Sequence, residues 1–320
     1  VETVNAEYGV FKIRDTGIFY QKAGQDGETL ISSPIRVTAE TRNDTGNEWG
    51  RLLVWEDSDG LTHQWVIPAS LLAGDGLDII RELLDQGLRL EHNKHNGLLE
   101  YIRSVRTDNR LVCTDKVGWY GGSYVTPQRS YGPDSDGVVF QSASAYTSGF
   151  SQKGDLASWR VNVSQLAQGN SRLVFAISTA FAGTLLDHAG IDGGGFHIVG
   201  GSSSGKSTAQ IIAASVWGSD SFKRSYRTTS NGLEGIALQH NHNVLILDEI
   251  KQMAPKDAGE TIYMLGNGEG KTRNTKTLIV KPAKTFKVMI LSSGEITLGE
   301  LLAGANIEAH TGQDVRLANI

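Results

Sequence analysis

Three observations predict an α/β architecture with a parallel sheet for residues 156–320, preceded by a β-rich α+β domain over residues 1–155. A glycine-rich loop at 200–207 sits between a short apolar run and an amphipathic stretch. A fully apolar run at 244–247 ends in the two carboxylates Asp248 and Glu249, as a strand buried on both faces reads. The first half of the chain instead alternates apolar and polar residues in short runs split by Gly and Asp, the pattern of β-hairpins.

Composition sets the bounds. The 320 residues, 39% hydrophobic and 20% charged, suffice for about two domains with real cores and exclude disorder. Thirty basic against thirty-five acidic residues, a net charge of -5, exclude a uniformly basic nucleic-acid coat but allow a local basic patch. The lone Cys113 excludes an internal disulfide or a cysteine metal cage, suits a reducing cytoplasm, and reads as a small core residue in the strand-like run 110–114. The longest apolar stretch, 173–186, is broken by Ser178, Thr179, Gly183 and Thr184 and is shorter than the roughly 20 residues of a membrane span, so no membrane partner is expected. The chain opens at Val1 without a methionine or a basic-then-apolar leader, so we expect a piece of a longer cytoplasmic protein.

In chain order, the runs 10–13, 18–21, 52–55 and 64–67 predict strands, and Asp57-Ser58-Asp59-Gly60 a plain hairpin turn, since it lacks the further ligands of a calcium loop. Leu77, Ile80, Leu83 and Leu84 predict a helix after Asp75, and 111–140 a second strand-rich stretch. Trp55, Trp65, Trp119 and Tyr120 sit at strand spacing, which favours core positions over base-stacking ones. A glycine-bearing linker at 150–154 places the domain boundary near 155, followed by helices at 156–167 and 172–189.

The chemistry is carried by Gly200-Gly201-Ser202-Ser203-Ser204-Gly205-Lys206-Ser207, which meets every fixed position of the phosphate-loop pattern. A strand at 196–199 leads in, and Thr208 continues into a helix to 216. In such a loop the backbone N–H groups surround the phosphates of ATP and the helix start adds a positive dipole end. Lys206 supplies charge to the β and γ phosphates, and the Ser207 hydroxyl is a ligand for Mg²⁺. About 40 residues on, Asp248 would hold Mg²⁺ through water and Glu249 would polarise the attacking water, a pairing that favours hydrolysis over transfer to a bound hydroxyl. A third strand, 287–291, precedes Ser292-Ser293-Gly294-Glu295; it predicts an extra strand between the two motifs, with Ser292, nearest the strand end, reaching the γ-phosphate or the water.

Residues 251–290 hold eight Lys or Arg against three acids, a local +5 that leaves -10 for the rest. Lys271, Arg273, Lys276, Lys281 and Lys284 surround an apolar run and Pro282, which predicts a hairpin with a basic rim, either a solvated surface or a contact with nucleic-acid phosphates. His240 and His242 have no third ligand beside them and predict no metal site.

The segments Gly195-Phe196-His197-Ile198-Val199-Gly200 through Trp217-Gly218, with Asn231-Gly232-Leu233-Glu234, Leu247-Asp248-Glu249-Ile250, Asn267-Gly268-Glu269-Gly270-Lys271-Thr272-Arg273 and Leu291-Ser292-Ser293-Gly294-Glu295, resemble the family of uncharacterised domains numbered 927. Gly118-Trp119, Trp159 and Ala180-Phe181-Ala182-Gly183 extend the resemblance over about 80–320. That family occurs in helicase-like proteins of phages and mobile elements. The resemblance implies a AAA+-like or superfamily-three-like ATPase that forms a homo-hexameric ring around DNA, related in architecture to MCM-type helicases. It implies that the basic hairpin faces a central pore holding single-stranded DNA. It also implies that Gln313-Asp314-Val315-Arg316-Leu317 delivers Arg316 as an arginine finger into the neighbour's site; any later helical lid or second sensor is expected to be absent from these 320 residues. The leading expectation is thus an ATP-driven DNA helicase or translocase; the alternative is a regulatory or assembly ATPase acting on a protein. Asp248-Glu249 and the large β-rich domain disfavour a small-molecule kinase.

Overall fold

The computed structural model describes residues 1–144, 149–270, 273–274, 280–281, 283–308 and 311–320, without the side chains of 273, 274, 280, 281, 311, 313 and 314. The chain divides into one unit of residues 1–115 and 125–147 and a second of residues 116–124 and 148–320.

In the first unit the alternating runs form an antiparallel meander, Glu2–Ala6, Gly9–Arg14, Gly17–Lys22 and Glu28–Ser32. A second, mixed sheet has the order Val138–Phe140, Arg110–Thr114, Ile35–Arg42, Gly50–Glu56, Thr62–Pro68. Period-two alternation along Ile35–Arg42 sends Ile35, Val37, Ala39 and Thr41 inward. The helices Leu77–Asp85 and His95–Ser104 add Ile79, Leu83, Leu98 and Ile102 to the same core as Phe11, Leu53 and Trp55. Trp55 and Trp65 are buried, their indole N–H groups donating to the Gln86 and Ser142 carbonyls, so neither offers a face to a base. Between the last two strands, the Asp57 carboxylate accepts from the N–H of Asp59 and Leu61, closing the turn on itself.

The second unit is built on five parallel strands in the order Arg224–Ser225, Asn243–Asp248, Val288–Gly294, Gly194–Val199, Leu317–Asn319. Val244, Leu245, Ile246 and Leu247 have no exposure at all, because helices cover the strand on both faces. Leu245, Leu247, Val288 and Ile290 pack with Leu233 and Ala237 of helix Ser230–Gln239, Ile262 and Leu265 of helix Pro255–Asn267, and Leu298 and Leu302 of helix Leu298–Ala303. Helices Ser171–Ala182 and Lys206–Ala214 pack on the Asn243–Asp248 and Val288–Gly294 strands. Just past the first of these, Gly183 lies so near Asn243 that a Cβ would be 2.3 Å from its carbonyl carbon.

Two expected helices differ in detail. Residues 156–167 form Leu156–Trp159, a π turn Arg160–Ser164 and a 3₁₀ turn Gln165–Ala167, because Leu156, Val161 and Leu166 are exposed and no core face holds a regular period. The next helix ends at Ala182 and tightens into a 3₁₀ turn, Gly183–Leu185. Residues 116–124 are threaded into this unit: the Trp119 indole donates to the Thr184 carbonyl, the Tyr124 hydroxyl donates to the His242 carbonyl, and Asn241 donates to the Val117 carbonyl. Among the described residues no helix is long and apolar enough to cross a membrane.

Candidate functional site

The 200–207 loop leaves the carboxyl end of the Gly194–Val199 strand and enters helix Lys206–Ala214. Gly205 caps that helix at φ +90°, a left-handed conformation open to glycine, and Ser203 shares it at φ +63°. No atom lies within 4 Å of a Cβ built on Gly201 or Gly205, so the loop borders open space at both positions. Gly201, Ser202, Ser203, Ser204, Gly205, Ser207 and Thr208 are exposed, whereas Gly200 and Lys206 are half-buried. The Gly200 N–H donates to the Gly294 carbonyl, and the Lys206 ammonium donates to the carbonyls of Gly200 and Gly201 at 2.7 Å each. A lysine, a helix start and exposed small residues converge there, an environment that suits an anion.

Asp248 ends its strand at the same sheet edge, with the Val288–Gly294 strand between it and the loop strand. Its Oδ1 accepts from the Ser293 hydroxyl at 2.7 Å, and its Oδ2 lies 3.3 Å from the Lys223 ammonium. Glu249 follows at φ +56°, ψ +84°, an unusual backbone for a side chain of its size, and its carboxylate accepts from the Lys251 N–H. Lys251 pairs with Glu295 at 2.8 Å; that bond, with a smaller contribution from Lys206, holds the Glu295 carboxyl below its ordinary range and raises Lys251 in turn. Lys206, Glu295, Lys251 and Glu249 thus share one electrostatic neighbourhood, with carboxylates fit to bind a cation or a water.

Ser292 requires a correction. The strand continues to Gly294, so Ser292 lies within it and has no exposure. Its Oγ accepts from the Tyr226 hydroxyl at 2.9 Å and contacts His197 Nδ1 at 2.8 Å, while His197 Nε2 faces the Ile296 carbonyl at 2.9 Å. A carbonyl only accepts, so Nε2 carries the proton and Nδ1 accepts a hydrogen bond from the Ser292 hydroxyl; all three side chains have partners. Burial lowers the His197 pKa, consistent with this neutral ring. Ser292 therefore has no hydroxyl to spare for the loop, and Ser293, one residue on and facing the other way, is the serine that reaches the acidic pair.

Arg316 ends helix Thr311–Arg316, and among the described residues its hydrogen bonds are to that helix and to Asn267, at the end of helix Pro255–Asn267. Its Nε donates to Asn267 Oδ1 and its Nη1 to the Gly312 carbonyl, both at 2.7 Å, and its guanidinium lies 4.3 Å from the Tyr263 ring centre. The strands Arg273–Asn274 and Val280–Lys281 pair antiparallel as the expected hairpin. Lys271 and Lys276, with the side chains of Arg273 and Lys281, lie outside the described residues; Lys284 is exposed. No role was read for Lys223, His197, Tyr226, Lys251 or Glu295 in the sequence, although His197, in the strand before the loop, and Glu295, closing the Ser-Ser-Gly-Glu string, stood in segments that carried the resemblance.

No curated protein matches the chain. Eight chains of solved structure do, among them one described as "SCCmec type IV Cch - active helicase", with a TM-score of 0.65 and 20% identity over 97% of this chain. The chain spans 58% of that protein's length, and at this identity the likeness speaks for the fold. The family match begins earlier than the resemblance read at 80–320 and stops short of Ser292, Ser293 and Arg316. It covers residues 11–285, described as a domain of unknown function, DUF927, and the chain belongs to that family.

Proposed function

We propose that the chain is an ATP-hydrolysing motor of a mobile element or phage, a helicase or translocase that works on DNA as a ring of identical subunits. The observation that carries this reading is the strand order: the loop strand and the Asp248 strand flank the strand that bears Ser293, and all three open at one edge. That order supports an AAA+-like reading, since ligands of open α/β sheets bind at the carboxyl ends of strands. The likeness to a solved helicase supports the DNA side of the proposal.

The residues fit a magnesium nucleotide: open space at Gly201 and Gly205 leaves room for phosphates, and Ser207 and Asp248 are hard oxygen ligands. Bound there, Mg²⁺ would neutralise charge developing on the phosphate chain. Lys206 exchanges its two carbonyl partners for phosphate oxygens, Ser293 keeps Asp248 oriented, and Glu249 polarises the attacking water. Arg316 reaches the neighbouring subunit's phosphates in a hexamer.

Charge favours the second unit for the DNA contact: it has seventeen basic against fourteen acidic residues, whereas the first has thirteen against twenty-one. Within the second unit the basic run Lys271, Arg273, Lys276, Lys281 and Lys284 is the proposed contact, facing single-stranded DNA in the pore. The test is ATP hydrolysis with and without single-stranded DNA, beside Lys206→Ala. Hydrolysis that rises with DNA and vanishes in the variant is expected. Activity indifferent to DNA would favour a protein partner, and an unaffected Lys206→Ala would refute the site.

A further inference from the structure

Lys223 belongs to neither motif, yet its ammonium is 3.3 Å from Asp248 Oδ2, with a side chain only 18% exposed. It is placed firmly. Phe222 beneath it is fully buried, the Lys223 N–H donates to the Asp220 carbonyl, and the next residue pairs with Leu247 in the sheet. Its other acid, Asp220, is 3.5 Å away and 66% exposed, a weaker claim on the ammonium than the half-shielded Asp248. With Oδ1 taken by Ser293 and Oδ2 by Lys223, the carboxylate proposed to hold the metal has a built-in counter-cation. Around it, Lys206, Lys223 and Lys251 are interleaved with Asp248, Glu249 and Glu295, and Asp220 lies on the outer side of Lys223.

We infer that Lys223 discharges Asp248 so that a free divalent cation binds poorly, and the site takes its metal together with a nucleotide whose phosphates supply the missing negative charge. This rests on the nucleotide-site reading above. A divalent ion arriving alone meets a carboxylate already paired with an ammonium that it must displace; one arriving on a phosphate chain meets Lys206 and the helix start, which favour the complex as a whole. Lys223 is thus a positioning and charge-setting residue, not a catalytic one.

The test titrates Mn²⁺ alone, without nucleotide, into the whole chain and follows free Mn²⁺ by paramagnetic resonance. Lys223→Met and Lys223→Gln should bind Mn²⁺ about three- to tenfold more tightly than the parent, the factor expected for losing one half-shielded charge a few ångströms away. Lys223→Arg should behave like the parent, and adding Asp248→Asn to Lys223→Met should erase the gain. Two neutral variants guard against one misfolding, checked by thermal unfolding. Unchanged Mn²⁺ affinity in a folded neutral variant, or a gain that survives Asp248→Asn, overturns the inference. Failure of the parent chain to bind Mg·ADP would instead refute the nucleotide-site reading, and it is measured separately.

Discussion

Ser292 and Ser293 are adjacent and face opposite sides of one strand, so their alanine variants should fail in different ways. Ser292→Ala strips a buried donor from His197 Nδ1 and a buried acceptor from the Tyr226 hydroxyl. Each stranded group costs about 1–3 kcal/mol, so the variant should lose about 2–6 kcal/mol, a large share of an ordinary domain's 5–15 kcal/mol. Tyr226→Phe should cost less, about 1 kcal/mol, because the Ser292 hydroxyl still donates to the ring. Ser293→Ala removes one bond from a carboxylate that is 34% exposed, where water takes its place, so stability should fall by no more than about 1 kcal/mol. Its effect should appear in metal use: the Mg²⁺ concentration for half-maximal hydrolysis should rise about fivefold as Asp248 loses its fixed orientation. Urea unfolding followed by tryptophan fluorescence and a Mg²⁺ titration of ATP hydrolysis read the two effects. A Ser292→Ala protein within about 0.5 kcal/mol of the parent, or a Ser293→Ala protein less stable than it, would refute the reasoning.

Glu249→Gln should retain nucleotide and Mg²⁺ yet stop turnover, so that ATP stays trapped intact; normal turnover counts against its role. Arg316→Ala should bind ATP as the parent does and lose hydrolysis by up to about 10³-fold, and mixing it with Lys206→Ala subunits should restore part of the activity at interfaces that pair two intact residues. No recovery despite proven co-assembly would exclude action across the interface. His240 lies among Phe150 and Phe222 with its Nδ1 bonded to the Ile236 carbonyl, and burial pushes its pKa down to about 4. The unfolded chain takes up this proton near pH 6.5, so stability should be intact above that value and fall by about 1.4 kcal/mol per pH unit down to about pH 4, with His197 acting in the same sense. Denaturant titrations at stepped pH should show this slope, and an equally steep one in His240→Leu would assign the effect elsewhere.

What was legible in the sequence was local. The strand, loop and helix around Lys206 and the apolar run into Asp248 lie within contiguous strings whose spacing prescribes their own backbone. The choice between two serines was not, because it depends on where the strand stops: ending it before Ser292 frees that hydroxyl, whereas running it to Gly294 buries it. Lys223 was invisible because it meets Asp248 through the parallel pairing of Arg224 with Leu247, a relation across 23 positions that leaves no periodic mark. Helix His95–Ser104 was missed because it opens His-Asn-Gly, an N-terminus without the usual capping signals, and its apolar residues acquire meaning only beside Phe11 and Ile35.

The excursion of residues 116–124 makes the two units poor candidates for exchange as modules. A protein trimmed to 148–320 would keep every residue of the candidate site but lose Tyr124, which stacks on Trp217, and Trp119, whose backbone N–H donates to His242. It would also free Asn241, which joins Val117 to the N–H of Lys287 at the foot of the central strand. Recombination that swapped the front of this protein at residue 148 would therefore leave an open seam in the second unit, and a junction upstream of 116 would part Val138–Phe140 from its sheet partner Arg110–Thr114, so exchange should move the whole chain together.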